Sequence, residues 1–268
     1  MNDLSDVAVL MPAFNGQADV QRTLASFRET SRVTVLIVDD GSTPPITAPV
    51  IDGMNIEILR MAENGGIERA LEAGIAALAA RGIRYAARID AGDLATPGRL
   101  TKQRAYMEAH PRVAVLGMWT HVVSTEGAPL FDLTPPAEPA AIRCMMLART
   151  CFTHPSLMLR VDAVIAAGNY RAQYRAAEDL DLILRLLQRH DGANLPEFGL
   201  FYELNERGIS ATKRRAQVMS TLRLQLRHLR VTNPLDWAGV AKSVAHLVLP
   251  YRALRGLKAR LLKSASSA

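Results

Sequence analysis

The chain has 268 residues, 49% of them apolar and 22% charged, which excludes a disordered or low-complexity chain and suffices to bury one large core. Its formal charge of +6 is unevenly spread. Residues 208–268 hold twelve Lys and Arg against one acid, Asp236, which leaves the preceding body net acidic; such asymmetry predicts two surfaces with different partners.

Residues 7–11 are an apolar run predicted as a buried strand that stops at Pro12. Val20, Leu24 and Phe27 follow at helical spacing, and residues 33–38 form a second apolar strand ending at Asp39-Asp40-Gly41-Ser42. A short strand is predicted over 56–59. The turn Asn64-Gly65-Gly66 then leads into a helix with Ile67, Leu71, Ile75 and Leu78 on one face. The strand 83–89 runs into Asp90. After Pro97 come a polar helix over 99–109 and a strand over 113–118. Later segments are less regular: a proline-marked loop at Thr134-Pro135-Pro136, a helix over 140–147, a strand over 156–159, a helix over 179–189 and a short strand over 200–202. From Lys213 onward the pattern is helical only, with breaks at Asn233-Pro234 and Pro250.

Strands alternating with helices through short connections predict an α/β fold, a mostly parallel sheet with helices on both faces. Such sheets bind ligands beyond the carboxyl ends of their strands, where both acidic clusters fall. The apolar run 7–11 is not expected to act as an export signal, since Asp3 and Asp6 precede it and Pro12 cuts it short. The longest apolar candidate, 235–249, contains Asp236, Lys242 and His246 and is too short to span a bilayer of roughly 20 helical residues. Cys144 and Cys151 are expected to be buried reduced thiols.

Asp90-Ala91-Gly92-Asp93 places two carboxylates three residues apart in a turn leaving a strand. Magnesium or manganese bound to a nucleotide diphosphate takes one or two such carboxylates; the plain alternative is a surface turn. Asp39-Asp40 offers a carboxylate that could accept from a nucleobase imide or ribose hydroxyls, or simply cap a turn. Glu178-Asp179-Leu180-Asp181 opens a helix, where its charges complement the dipole or one of them takes a proton from a hydroxyl. No Gly-x-Gly-x-x-Gly follows the first strand and no Gly-x-x-x-x-Gly-Lys-Ser/Thr occurs, which disfavours dinucleotide-binding dehydrogenases and P-loop enzymes. The six histidines form no paired metal motif; His154, in Thr153-His154-Pro155-Ser156, stands before a strand.

The order of these motifs resembles family-2 inverting glycosyltransferases with the GT-A fold, from about residue 6 to residue 212. The matching stretches are residues 9–15, 35–43 and 64–67, then Arg88-Ile89-Asp90-Ala91-Gly92-Asp93 with Pro97, Arg99-Leu100 and Gln103. His154-Pro155-Ser156, residues 178–182 and Gly208-Ile209-Ser210 follow in order. The resemblance implies a catalytic domain over residues 1–212 and a nucleotide-sugar donor, with uridine as its base. Pro12 and Phe14 would border the base, Asp39 would hydrogen-bond it, and Asp40 would support that loop or reach the ribose. Asp93 would hold a divalent metal (Mn2+ or Mg2+), supported by Asp90; Asp179 would be the general base, with His154 and Glu178 on the acceptor side. It departs from the family at two points. Gly92 stands where another aspartate is frequent, and Tyr202-Glu203 with Asn205 stand where a Tyr-Arg pair and a histidine are frequent. The first leaves Asp93 with fewer carboxylates beside it; the second leaves open any diphosphate or metal contact from that strand.

Residues 213–268 are read as a basic amphipathic helical region, with stripes at Leu222, Leu226, Leu229 and at Leu254, Leu257, Leu261. Such helices dock on anionic membranes, so the expectation is a cytoplasmic protein resting on the inner face of the cell membrane, near a glycan or lipid-linked acceptor. The alternative is a helical cap on the domain. A nucleic-acid partner is not expected, because the tail lacks interleaved aromatics and the body is acidic. The rival reading of the whole is a degenerate, non-catalytic GT-A protein that binds a nucleotide or a partner.

Overall fold

The computed structural model describes residues 3–204 and 214–248. In chain order the first half contains β1 (Val7–Ala13), α1 (Gln17–Leu24), β2 (Val33–Asp39), β3 (Met54–Arg60), α2 (Ile67–Ala80), β4 (Tyr85–Arg88), β5 (Leu94–Ala95) and α3 (Arg99–Ala109). β6 (Val113–Val123), β7 (Pro129–Leu133), α4 (Pro139–Met145), β8 (Met158–Arg160), α5 (Val161–Ala166), α6 (Glu178–Leu186) and β9 (Asp191–Glu203) follow. Two helices, α7 (Arg214–Arg227) and α8 (Pro234–Val248), end the described chain.

The strands form one sheet in the order β3-β2-β1-β4-β8-β6-β9-β5, with β7 paired to β6. β1, β2, β3 and β4 are mutually parallel, as is the long β6–β9 ladder. β8 runs antiparallel to β4 and β6, β5 to β9, and β7 to β6, so the sheet is mixed, with its longest ladders parallel.

Successive residues of β1 and β2 point into opposite cores. Val7, Val9, Met11, Val35 and Ile37 meet Val20 and Leu24 of α1 and Leu100 and Met107 of α3. Ala8, Leu10, Leu36 and Val38 meet Leu71, Ile75 and Leu78 of α2. Burial on both faces is why these strands read as unbroken apolar runs; each fully buried α2 side chain contributes about 1.5–3 kcal/mol.

Several elements differ from expectation for physical reasons. β1 does not stop at Pro12 but continues to Ala13. Ile89 N–H donates to Leu10 O on the β4 side and Asp40 N–H to Ala13 O on the β2 side, so the N–H that proline lacks would face a side where β4 has already ended. The predicted 200–202 strand is the end of the 13-residue β9, whose pattern is hidden by Gly192, Pro196 and Gly199 and by register shifts against β6. β7 is exposed along its whole length and offered no apolar face to read. Ser156 belongs to a 3-10 turn rather than the following strand.

α7 and α8 pack on α4 and α6. The expected stripe of Leu222, Leu226 and Leu229 is not the inward one: Leu226 is 55% exposed, and Ser220, Leu224 and Gln225 are buried instead. Leu224 enters the apolar core formed with Ile142, Leu147 and Leu182, and the polar positions meet backbone carbonyls at the end of α4. Gln225 Nε2 donates to Leu147 O (2.7 Å), and Arg230, paired with the buried Asp236, donates to the carbonyls of Arg143 and Cys144. Gly208-Ile209-Ser210, Asn205, the Pro250 break and the Leu254 stripe lie outside the described residues. Both thiols are free; Cys151 is buried, as expected, but Cys144 is exposed on the outer side of α4. No described helix is long and apolar enough to cross a membrane.

Candidate active site

The carboxyl ends of β1, β2 and β4 lie side by side, and each ends in a loop that bears predicted residues. The β1 and β2 loops are tied together. Asn15 N–H donates to Ser42 Oγ (2.9 Å), Thr43 N–H donates to Asn15 Oδ1 (2.8 Å), and Gln17 exchanges hydrogen bonds with Thr47. Pro12 is buried within this frame, whereas the Phe14 ring is 50% exposed at its mouth.

Asp39 is fully buried, and both its oxygens are occupied. Oδ1 accepts the Ser42 N–H (2.9 Å); Oδ2 accepts the Ile46 N–H (3.2 Å) and pairs with Arg60. Burial pushes its carboxyl upward, but the hydrogen bonds of Ser42 and Ile46 and the Arg60 charge outweigh that and hold it below the ordinary value. Asp40 accepts the N–H groups of Gly65 (2.7 Å) and Gly66 (3.0 Å), so it fixes the turn that opens α2. Gly41 between the loops has φ +75°, and a Cβ there would lie 2.6 Å from the Glu63 carbonyl carbon; only glycine fits.

The β4 end is different. Arg88, 2% exposed, forms a two-pronged ion pair with Asp90 (2.6 and 2.7 Å), whose own side chain stays partly open. Asp93 is 3% exposed. Its Oδ1 accepts the Glu203 N–H at the end of β9 (3.0 Å), while Oδ2 is buried with no hydrogen-bond partner. Burial lifts this carboxyl well above the ordinary range and the Asp90 charge adds to it, against the Glu203 N–H and the Arg88 and Arg99 charges. Gly92 sits at φ +112°, a conformation L side chains rarely adopt, with its N–H on Thr23 Oγ1 (2.9 Å). That backbone accounts for a glycine at the centre of the turn.

Behind these loops α3 offers a polar inward face that sequence patterning passed over. Arg99, fully buried, donates through Nη2 to the carbonyls of Arg88 (2.7 Å) and Pro155 (3.0 Å) and through Nε to Gln103. Gln103 Nε2 reaches the carbonyls of Leu116 and Ser156. Together they clamp the end of β4 to the His154–Ser156 turn. The available signal was the i, i+4 spacing of Arg99 and Gln103; for Arg88 it was a charge set inside an apolar strand.

At the N-terminus of α6, Asp181 is satisfied by Arg185 (2.7 and 3.0 Å), which also donates to the carbonyls of Ala167 and Asn169. Glu178 is 7% exposed and its Oε2 has no partner. Burial, then the Asp179 charge, pushes Glu178 up to about 8. Asp179 accepts the Leu180 N–H (2.7 Å); burial raises it, against that bond and the Arg88 charge. A helix dipole alone would lower both groups, so desolvation decides here. His154 Nε2 lies 2.9 Å from Tyr170 Oη, and burial with the nearby Arg88 charge keeps the imidazole neutral. The Tyr170 hydroxyl feels Arg88, Asp179, Glu178 and Asp90 alike, so Arg88 and Tyr170 mark where the strand-end acids and the α6 acids converge.

Among the described residues no group of three or more His, Cys, Asp or Glu gathers as a metal cage. The site offers Asp93 with one uncommitted buried oxygen and Asp90 beside it. That donor set suits a hard cation taking its remaining ligands from a diphosphate and water. Glu203, which stands where the resemblance leads one to look for a cation, pairs with Arg22 (2.8 Å) beside Gly92.

The chain is 31% identical over 141 residues to the amylovoran biosynthesis glycosyltransferase AmsE of Erwinia amylovora, covering 52% of this chain and 51% of AmsE. It is 29% identical over 124 residues to the O-antigen biosynthesis glycosyltransferase WbnJ of Escherichia coli, covering 45% and 48%. It thus spans about half the length of these curated relatives. The fold matches S. aureus TarS 1-349 in complex with UDP-GlcNAc at a TM-score of 0.63 and 15% identity, over 90% of this chain and 71% of that one. It also matches the mannosyltransferase PcManGT of Pyrobaculum calidifontis in complex with GDP-Man and Mn2+ at 0.60 and 15%, over 98% and 75%. The sequence profile of glycosyl transferase family 2 matches residues 8–165, from the second residue of β1 to α5. Matched over more than half its length and sharing the fold, the chain belongs to glycosyl transferase family 2.

Proposed function

We propose that the protein is an inverting glycosyltransferase that moves a sugar from a nucleoside-diphosphate donor, with uridine as the base, to a hydroxyl of a glycan or lipid-linked acceptor in cell-surface polysaccharide synthesis. The observation that carries this reading is the set of desolvated carboxylates around Arg88: Asp93 at the strand ends and Glu178 at the head of α6, each with one buried oxygen that has no partner, and Asp179 beside Glu178.

The base lies against Phe14 and over Pro12, with Asp39 as its hydrogen-bonding partner once the half-exposed Arg60 yields a place on that carboxylate. Asp40 keeps the adjoining turn rigid. Asp93, supported by Asp90, holds the divalent cation (Mn2+ or Mg2+), which when bound neutralises charge on the departing diphosphate. Glu178 and Asp179 cannot easily both ionise in one buried site. Glu178, up to about 8, keeps its proton at neutral pH and leaves Asp179 as the carboxylate. Asp179 then accepts the acceptor hydroxyl's proton as that oxygen bonds to the anomeric carbon and the bond to the diphosphate oxygen breaks, inverting the centre. Neutral His154, held by Tyr170, borders the acceptor side.

The outer faces of α7 and α8 and the turn between them carry exposed Leu226, Trp237 and Val231 beside basic residues. They support contact with an anionic membrane surface, on the cytoplasmic side, which flotation with and without anionic lipid measures. The enzyme reading is tested with a panel of nucleotide sugars and Mn2+ or Mg2+, beginning with UDP-GlcNAc and GDP-Man. Asp179→Asn lowers release of nucleoside diphosphate by about 10²- to 10⁴-fold with UDP binding retained. Near-normal turnover in that variant would remove the base assignment; no metal-dependent release from any donor by the native chain would favour the non-catalytic alternative.

A further inference from the structure

Asp179 has a second side. Arg88 acts on it from the strand ends, and it also lines a cleft of about 280 Å³ whose far wall is α7 and α8. That wall is held rigidly by the Gln225 bond to Leu147 O and the Arg230–Asp236 pair anchored on α4. The lining divides by chemistry. Met146, Leu147, Phe152, Ile183 and Val218 supply an apolar part, and Arg149, Lys242 and His246 a cationic and polar part. Among the described residues Asp179 is the only acid on its surface, and neither Arg149 nor Lys242 has a carboxylate partner there. His246 is held below its ordinary value by burial and by the charges of Arg214 and Lys242. A concave site with an apolar wall, convergent cations and a proton acceptor at one end is built for an amphiphilic anion.

We propose that this cleft is the acceptor site and that it takes an acceptor carrying an anionic group, phosphate or carboxylate, next to an apolar stretch, with the reacting hydroxyl presented to Asp179. The proposal rests on Asp179 as the base and adds the α7–α8 pair, beyond the profile-matched region, as the element that reads the acceptor.

The test uses calorimetry on the full chain with three probes below their micellar concentrations: decyl phosphate, decyl glucuronide and the neutral decyl glucoside. One anionic probe is expected to bind saturably, at least about tenfold more tightly than the glucoside; which one distinguishes a phosphate-bearing from a uronate-bearing acceptor. Lys242→Glu combined with Arg149→Glu, at exposed positions that leave the fold intact, is expected to reduce that affinity to the glucoside level with UDP binding unchanged. Equal binding of all three probes, no binding of either anion, or anion binding that survives the charge reversal overturns the proposal. Asp179→Asn is assayed in parallel. Retained donor turnover there sinks the base, whereas lost turnover with undifferentiated probe binding sinks the cleft alone.

Discussion

Asp39-Asp40 and Asp90–Asp93 leave the ends of the two strands that flank β1 and look alike as sequence, yet they are solved differently. Four oxygens of the first pair accept backbone N–H groups of Ser42, Ile46, Gly65 and Gly66, and Arg60 adds a charge. In the second, Asp93 keeps one oxygen buried and unbonded, and α6 repeats the contrast: Asp181 Oδ2 accepts two bonds from Arg185 while Glu178 Oε2 has none. A carboxylate whose bonds are complete shapes the loops, and one left incomplete at the cost of desolvation is available to a ligand or a proton.

Substitutions separate the two classes by sign. The largest stability loss is expected for Asp40→Ala, which strips charge-assisted bonds from two amides of a part-buried turn. At about 1.5 kcal/mol or more each the cost is about 3 kcal/mol, read as a drop in thermal midpoint of about 6 °C or more. Gly92→Asp, which restores the acid frequent in the family, is expected to cost about 1–3 kcal/mol, because φ +112° is strained for any side chain. An unchanged midpoint would show that the turn relaxes freely.

Glu178→Gln is expected to act in the opposite direction and more gently. The folded-state value of about 8 lies above the ordinary 4.5, so the native chain binds that proton more tightly than the unfolded one. The stability it supplies is present below pH 4.5 and is lost as pH rises through 8. The variant, which does not titrate, should gain in thermal midpoint relative to the native chain as pH is raised from 5 to 8.5. A gap that stays constant with pH would show that Glu178 is not desolvated.

The parallel half of the fold was legible because β1, β2 and α2 are buried against two cores, and period and apolar runs report burial directly. β9 was legible only at its end, since glycines and Pro196 break its pattern, and β7 carries no buried face. The acids were found by type and place, but their division into bonded and unbonded members was not, because it depends on Arg60, Arg185 and the amides of distant turns. Arg88, Arg99 and Gln103 were overlooked as site-builders for a related reason: buried polar clamps leave no hydrophobic period. The α7 stripe misled because Leu224 takes the place in the apolar core and Gln225 beside it meets the Leu147 carbonyl, which turns Leu226 outward.

The claim that incomplete carboxylates do the chemistry is tested most directly at Asp93. Thermal stabilisation by UDP with Mn2+ is measured for the native chain, Asp93→Asn and Asp40→Asn. The account predicts Mn2+-dependent stabilisation in the native chain and in Asp40→Asn from its lower baseline, and none in Asp93→Asn, whose own midpoint is unchanged or higher. Undiminished Mn2+-dependent stabilisation of Asp93→Asn would contradict it.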